Sequence, residues 1–194
     1  MRNSQIKGLT RKEQIINAAR KLVIKRGSEN ITVRQIAEEV GFSEAAIYRH
    51  FKSKKDILYL LIESIEANLI SDLESTARPE LDRLENILMS HLSAVEMRRG
   101  ISFQVIAEIV SLGDKQLNKR INETLEKYIG KLEEILEEEI DKGNLRNDLD
   151  ANAASVVIFS VIQGLSNLWM LSNYNFDPLQ KFAPILALLR KGLT

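Results

Sequence analysis

Basic and short polar side chains are concentrated in residues 43–55, and their chemistry suits contact with nucleic acid. An arginine such as Arg49 can bind a guanine edge through two parallel hydrogen bonds, which discriminates between bases by about 1–3 kcal/mol. Lys52, Lys54 and Lys55 follow at a predicted helix start, where side-chain charge and backbone amides both favour a phosphate. We therefore interpret this stretch as a surface that reads base edges and binds the phosphate backbone.

A short helix is predicted just before this surface, over residues 33–40. Thr32 is a suitable N-cap, and Gln35 completes a capping box with it. Gly41 ends the helix, because glycine enters the left-handed conformation without a steric penalty. Apolar residues recur at intervals of three and four and form one buried stripe: Val33, Ile36, Ala37 and Val40.

A second helix is predicted to begin directly after Ser43, which is a natural N-cap. The tight turn makes the two helices cross, and Ile47 and Phe51 then point inward one turn apart. The residues left facing outward are mostly short or polar and suit a major groove: Ser43, Glu44, Ala45, Tyr48 and Arg49. Spacing alone predicts either a DNA-reading helix-turn-helix or an ordinary helical hairpin with a basic surface.

The same segment resembles the N-terminal domain of the tetracycline-repressor (TetR) family of one-component regulators. The resemblance implies a three-helix DNA-binding head on a divergent helical body, and a homodimer built from the last two long helices of each subunit. It says nothing specific about individual residues of the C-terminal three quarters. The positions that carry it are Thr32, Val33, Ile36, Ala37, Gly41, Phe42, Ser43, Ile47, Tyr48, Phe51, Ser53 and Lys54.

The resemblance also implies roles for single residues. In similar proteins the positions of Tyr48 and His50 touch phosphates, and buried packing is the alternative for Tyr48. For Arg49 the alternative is a plain backbone contact. Glu44 is unusual near DNA; it either accepts a hydrogen bond from cytosine or stabilises the helix start, and we favour the second. The predicted DNA-binding residues are Thr32, Arg34, Ser43, Glu44, Ala45, Tyr48, Arg49, His50, Lys52, Lys54 and Lys55.

Charge is divided unevenly along the chain although the formal net charge is zero. Residues 1–55 hold 13 Lys and Arg against 5 Asp and Glu, or +8, and residues 56–194 hold 14 against 22, or −8. A basic head would bind a polyanion, and an acidic body would not. The chain is therefore predicted to comprise a DNA-binding domain, 1–55, and an effector-binding and dimerisation domain, 56–194.

The remaining pattern is helical throughout, which predicts an all-α fold. A first helix is predicted between Thr10, which forms a capping box with Glu13, and Gly27, and it would pack across the helix-turn-helix. A long helix over residues 53–76, ended by Arg78 and Pro79, would join head to body. Such a stiff rod transmits a displacement from one end to the other. Further helices are predicted over residues 80–98, 101–112, 114–142 and 151–176, and the last follows Asp177 with a kink or new start at Pro184.

Residues 151–176 contain no charged side chain and are long enough to span a bilayer. Asn152, Gln163, Asn167 and Asn173 would each be costly in lipid, and basic flanks are lacking. A helix that is apolar on nearly all sides is better explained by burial against both its own core and a partner subunit. We therefore predict a homodimer through the last two long helices and no membrane insertion.

Polar residues set among apolar neighbours in the body predict a pocket for a hydrophobic or amphiphilic effector. The pattern around residues 119–149 loosely resembles the fatty-acyl-CoA-responsive branch of the family, so an acyl-CoA-like effector is one possibility. For each residue singly, core or interface packing is the competing interpretation. The candidates are His91, Gln104, Glu108, Tyr128, Gln163, Asn167 and Trp169.

Enzyme chemistry is poorly supported by the sequence. It contains no cysteine and only two histidines, and it lacks a nucleophile elbow, a phosphate-binding glycine loop and metal-ligand spacing. No cofactor or metal is therefore expected. The absence of an apolar N-terminal segment predicts a cytoplasmic protein.

These features together predict a dimeric, ligand-responsive transcriptional regulator. In this hypothesis a repressor binds a palindromic operator through its helix-turn-helix and is released by the effector. One alternative is a non-allosteric architectural DNA-binding dimer whose body only dimerises. A helical adaptor without nucleic acid is the other, and the charge division argues against it.

Overall fold

The computed structural model describes residues 9–74 and 82–193. Within these ranges every regular element is a helix, which confirms the all-α prediction. The helices are α1 (Arg11–Arg26), α2 (Val33–Val40), α3 (Glu44–Tyr48), α4 (Lys54–Leu73), α5 (Arg83–Met97), α6 (Ile101–Ser111), α7 (Lys115–Asp141), α8 (Ala151–Leu171) and α9 (Pro178–Leu193).

Helix ends follow the local signals with small differences. The long helix α4 ends at Leu73, three residues short of the predicted 76, and the proposed breakers Arg78 and Pro79 lie outside the described residues. Helix α9 runs through Pro184 as one continuous helix, so of the two predicted alternatives, a kink or a new start, the new start does not occur.

The chain folds into two compact units. The head unit contains Met1–Ile65 and Gln104–Asn122, and the body unit contains Glu66–Phe103 and Glu123–Thr194. Helices α4, α6 and α7 each contribute residues to both units.

Apolar side chains from several helices form the core of the head unit. In α1 the Thr10 side chain and Glu13 form the expected capping box. Gly27 ends this helix with a positive φ of 78°. The side chains that fill the core are aliphatic and almost fully buried, and they include Ile15, Ala19, Val23, Ile36, Ile47, Ile57 and Leu61.

The body unit has a separate apolar core with aromatic side chains at its centre. Tyr128 meets the ring of Phe159 edge-on at a centroid distance of 5.6 Å, and Phe103 lies 6.4 Å from Phe159. Each ring packs on the apolar faces of neighbouring helices, which is the main source of stability for such a core. Other fully buried members are Leu88, Leu92, Leu132, Leu136, Ile162 and Phe182.

Helix α8 is long and apolar enough to cross a membrane by length and composition alone, although core helices meet the same criterion. Its buried face includes Ile158, Ile162 and Leu165. Its opposite face leaves large apolar side chains in solvent: Val156, Val157, Leu168 and Leu171 are 42–80% exposed. On α9, Leu188 is 69% exposed.

Candidate nucleic-acid interface and effector site

Helix α2 begins and ends with the predicted caps. The Gln35 amide donates to the Thr32 hydroxyl at 3.2 Å, and the Thr32 amide donates to the Gln35 side chain at 3.0 Å. At the other end Gly41 has φ 81° and ψ 29°, and its amide bonds to the Ala37 carbonyl. The left-handed residue turns the chain at once toward α3.

Helix α3 is short and presents its outer side to solvent. The Ala46 amide donates to the Ser43 hydroxyl at 3.2 Å, so Ser43 is the N-cap as predicted. Ile47 is fully buried and anchors the helix. Phe51 is also buried, but it lies beyond the end of α3, in the turn before α4. The predicted outward residues are all exposed: Ser43, Glu44, Ala45, Tyr48 and Arg49.

Acidic side chains lie beside basic ones on this surface. Arg34 Nε donates to Glu38 Oε1 at 3.0 Å. This hydrogen bond, and to a smaller extent the charge of Glu44, raise the pKa of the Arg34 guanidinium. Lys21 pairs in the same way with Glu39. Phosphate contacts by these cations would have to replace the existing ion pairs.

Two backbone amides just before α4 are already occupied. The Asp56 carboxylate accepts hydrogen bonds from the amides of Lys52 at 2.7 Å and Ser53 at 3.1 Å. These two amides are therefore not open to the phosphate that the sequence predicts at this helix start, because Asp56 in the first turn of α4 binds them instead.

Lys54 and Lys55 also have partners within the protein. Lys54 Nζ donates to the carbonyls of Ser28 at 3.1 Å and Glu29 at 3.3 Å. Lys55 Nζ contacts both carboxylate oxygens of Asp114, at 2.7 and 2.9 Å. The Lys55 ammonium lowers the pKa of the Asp114 carboxyl. In this arrangement neither lysine is directed to a phosphate.

Three basic side chains line an open groove of about 550 Å³ in the head unit. Lys12, His50 and Lys52 supply its positive or protonatable groups, and Asp56 and Glu63 contribute acidic ones. His50 and Lys52 are exposed, as are Thr32 and Arg34. Thr32, His50 and Lys52 are therefore accessible to a phosphate backbone, whereas Arg34 would first have to leave Glu38.

One junction in the head unit was not foreseen from the sequence. The Ser28 amide donates to Glu108 Oε2 at 3.4 Å, and the Ser28 hydroxyl donates to the Glu108 carbonyl. Glu108 was predicted to contact an effector, but its carboxylate faces the loop between α1 and α2. Ser28 does not belong to a recognisable sequence motif. Its contact with Glu108 depends on the tertiary fold and could not be predicted from the sequence.

In the body unit, two predicted effector residues are in direct contact. His91 Nε2 and the Tyr128 hydroxyl are 3.0 Å apart, and both side chains are completely buried. His91 Nδ1 lies 3.5 Å from Asp72 Oδ2, and Arg98 forms an ion pair with the same carboxylate. Burial, with a smaller effect of the Asp72 charge, raises the pKa of the Tyr128 hydroxyl far above its ordinary value.

Neither Asp72 nor Arg98 is among the residues predicted from the sequence. A signal was available for Asp72, because it falls on the same stripe of α4 as Ile65 and Leu69, and an acid in an apolar stripe needs a partner. Arg98 follows α5 and gave no comparable signal.

The other predicted effector residues are dispersed. Gln104 is half-buried in the head unit, Gln163 is half-buried on α8, and Asn167 is exposed. Trp169 is buried, and its indole nitrogen has no hydrogen-bond partner among the described residues. Of the seven candidates, the structure brings only His91 and Tyr128 into hydrogen-bonding contact.

Family models match both parts of the chain. A model described as "Bacterial regulatory proteins, tetR family" matches residues 15–59, and one described as "YsiA-like protein, C-terminal region" matches residues 51–192. The first range contains the helix-turn-helix, and the second covers most of the rest.

Similar proteins are named as regulators or as DNA-associated factors. A fatty acid metabolism regulator protein of Bacillus subtilis is 27% identical, with 93% of this chain and 94% of the relative covered. The nucleoid occlusion factor SlmA of Edwardsiella ictaluri is 31% identical, with 91% and 93% covered. The crystal structure of the Bacillus subtilis regulator FadR with stearoyl-CoA superposes with a TM-score of 0.78 at 27% identity, covering 94% and 99%.

Proposed function

The chain belongs to the tetR family of bacterial regulatory proteins, and from this membership we propose that it is a dimeric, ligand-responsive transcriptional repressor. It binds a palindromic operator in the cytoplasm through its helix-turn-helix. A hydrophobic or amphiphilic small molecule in the body releases it. Residues 1–55 carry the DNA contacts, and residues 56–194 carry the effector and dimer contacts.

This proposal rests on the exposed outer side of α3. The capped turn before the helix and the buried side chain of Ile47 hold the helix in place. Ser43, Gly41 and Ile47 position the helix, and its small and polar residues are open to a major groove. In this proposal Arg49 reads a guanine edge and Ala45 allows close approach. The phosphate backbone is bound by Thr32, Arg34, Tyr48, His50 and Lys52.

We place the effector near the polar chain formed by the half-buried Arg98 and the buried Asp72, His91 and Tyr128. Polar groups inside an apolar core are suited to fix the orientation of a ligand with a long apolar part. The comparison with the FadR complex with stearoyl-CoA supports testing acyl-CoA thioesters first. The alternative role of these residues is structural, since each already has a partner in the core.

Coupling between effector and DNA uses α6 and α7, which contain residues of both units. Within the head unit, Glu108 of α6 contacts Ser28, and Asp114, just before α7, pairs with Lys55. A ligand that displaces these helices would change contacts at the loop before α2 and at the start of α4. We therefore assign Glu108 and Lys55 to coupling rather than to effector or direct DNA contact.

A titration against the DNA upstream of its own gene tests the proposal. Fluorescence anisotropy at two salt concentrations, with a scrambled duplex as control, should give tight binding of two subunits to the native sequence alone. Stearoyl-CoA, stearate and free CoA are then added separately. Release by the thioester and not by CoA supports an acyl-CoA effector, and failure of specific binding contradicts the repressor proposal for this DNA.

A second candidate function is a nucleoid-type DNA binder without an effector. The similarity to SlmA, which is named as a nucleoid occlusion factor, supports this candidate. It predicts binding at many chromosomal sites and no ligand response. Genome-wide immunoprecipitation with sequencing separates the candidates, because a repressor should occupy a few promoters and a nucleoid factor many dispersed sites.

A further inference from the structure

Glu44 places a carboxylate on the proposed DNA-reading side of α3. It is the first residue of the helix and is exposed. Its carboxylate accepts no hydrogen bond from a residue that the structure describes. A side chain in this position meets the edges of bases if α3 enters a major groove.

Stabilisation of the start of α3 is a weak explanation for a carboxylate at the position of Glu44. Ser43 already caps α3, since its hydroxyl accepts the Ala46 amide. The helix contains only five residues, so few aligned peptide dipoles act on a charge at its start. The interpretation that we favoured from the sequence, stabilisation of the helix start, therefore explains less once the helix length is known.

A neighbouring cation reduces the penalty of bringing this carboxylate to DNA. The charge of Glu44 acts on Arg34, whose guanidinium is bonded to Glu38. Arg34 is exposed and belongs to the same proposed interface. A positive group on α2 thus offsets part of the repulsion between Glu44 and the phosphates.

We propose that Glu44 reads a cytosine in each operator half-site by accepting a hydrogen bond from its exocyclic N4 amine. In the major groove only adenine and cytosine offer a donor, and adenine places the N7 acceptor beside it. An ionised carboxylate is an acceptor only, so N7 repels it and cytosine is preferred. This inference rests on the proposed function, because it requires α3 to read an operator.

Selection of duplexes from a random pool tests the inference with the full-length protein. The variants are Glu44→Gln, Glu44→Ala and Glu38→Gln. The Glu38 variant is the matched control, since it removes an exposed charge beside Arg34 from α2 rather than α3. Circular dichroism melts verify that all variants are folded.

The wild-type protein should enrich cytosine at one position of each half-site. Glu44→Ala should lose this preference, with discrimination falling by about 5- to 150-fold. Glu44→Gln should shift the preference toward adenine, because an amide donates to N7 and accepts from N6. Glu38→Gln should retain cytosine.

Two results would overturn the inference, and they differ from each other. If the wild-type protein enriches a sequence and both Glu44 variants enrich the same bases, Glu44 does not read the operator, although the proposed function stands. If the wild-type protein enriches no sequence at all, the proposed function fails and the base reading fails with it.

Discussion

Glu139 shows how a buried charge is retained in this fold. It is 3% exposed, and its carboxylate accepts hydrogen bonds from Arg83 at 2.9 Å, Lys142 at 3.0 Å and Asn144 at 2.8 Å. Burial by itself raises the pKa of this carboxyl, but the hydrogen bonds from Arg83, Asn144 and Lys142 outweigh it and lower the pKa to about 2. The charged form is therefore stabilised in the folded state.

This depressed pKa predicts a pH-dependent stability. The stabilisation is complete above the ordinary pKa of 4.5 and is lost as the pH falls from 4.5 toward 2. Glu139→Gln should lower the free energy of unfolding at pH 7 by about 2–3 kcal/mol and flatten the acid decline. Urea titrations between pH 7 and pH 3 measure both. Glu137→Gln, on an exposed position of α7, is the control, and equal behaviour of the two variants would contradict the prediction.

For single residues, the sequence predicted which side chains of the helix-turn-helix are exposed better than it predicted what each of them contacts. The exposure of Glu44, Ala45 and Tyr48 on α3 follows from helical periodicity around a buried Ile47. The partners of Lys54 and Lys55 do not follow from helical periodicity, because they come from a loop and a helix start that are distant in sequence.

At the element scale, the turn between α2 and α3 depends on one backbone conformation. Gly41 has φ 81°, and a Cβ added there would meet no atom within 4 Å. Gly41→Ala should therefore cost only the backbone strain, about 1–2 kcal/mol. Gly130→Ala, inside α7 and equally uncrowded, should stabilise by roughly 0.5–1 kcal/mol. Thermal melts compare the two variants, and destabilisation of similar size in both would contradict this account.

The contact between α4 and the start of α7 leads to a second prediction at this scale. Asp114→Asn should weaken the ion pair with Lys55. It should retain the hydrogen bonds at the start of α7, because the amides of Gln116 and Leu117 bond to Oδ1. The released ammonium should bind a phosphate and steepen the logarithmic salt dependence of DNA binding by about 0.9. Anisotropy titrations over several salt concentrations measure this slope.

The double variant Asp114→Asn with Lys55→Gln is the control for this prediction. It should return the slope to the wild-type value, because the additional phosphate contact is removed. An unchanged slope in the single variant would mean that Lys55 does not reach DNA even without its partner.

For the whole molecule, the exposed apolar side chains of α8 and α9 predict the subunit interface. Leu168 is 60% and Leu188 69% exposed. Leu168→Glu should convert the dimer to a monomer, since a buried unpaired charge costs several kcal/mol. Sedimentation velocity measures the mass. Met97→Glu on α5, at a residue that is 77% exposed, should remain dimeric, and a dimeric Leu168→Glu protein would exclude this interface.

Local sequence signals were enough to predict most of the helices, three of their N-caps and the family of the protein. These depend on local periodicity, on capping side chains and on glycine conformations, and each is encoded within a few adjacent residues. Capping boxes at Thr10 and Thr32 and the N-cap at Ser43 were all predicted and found. The charge division between residues 1–55 and 56–194 is likewise readable without a fold.

Which polar groups contact each other depends on how the helices pack. The Ser28 to Glu108 bond, the Lys55 to Asp114 pair and the contact of Asp72 with Arg98 join residues from different helices or loops. Helical periodicity specifies the side of a helix on which a residue lies, but not the element packed against it. For this reason the contacts of Glu108 with Ser28 and of Lys55 with Asp114 inside the head unit could not be predicted from the sequence.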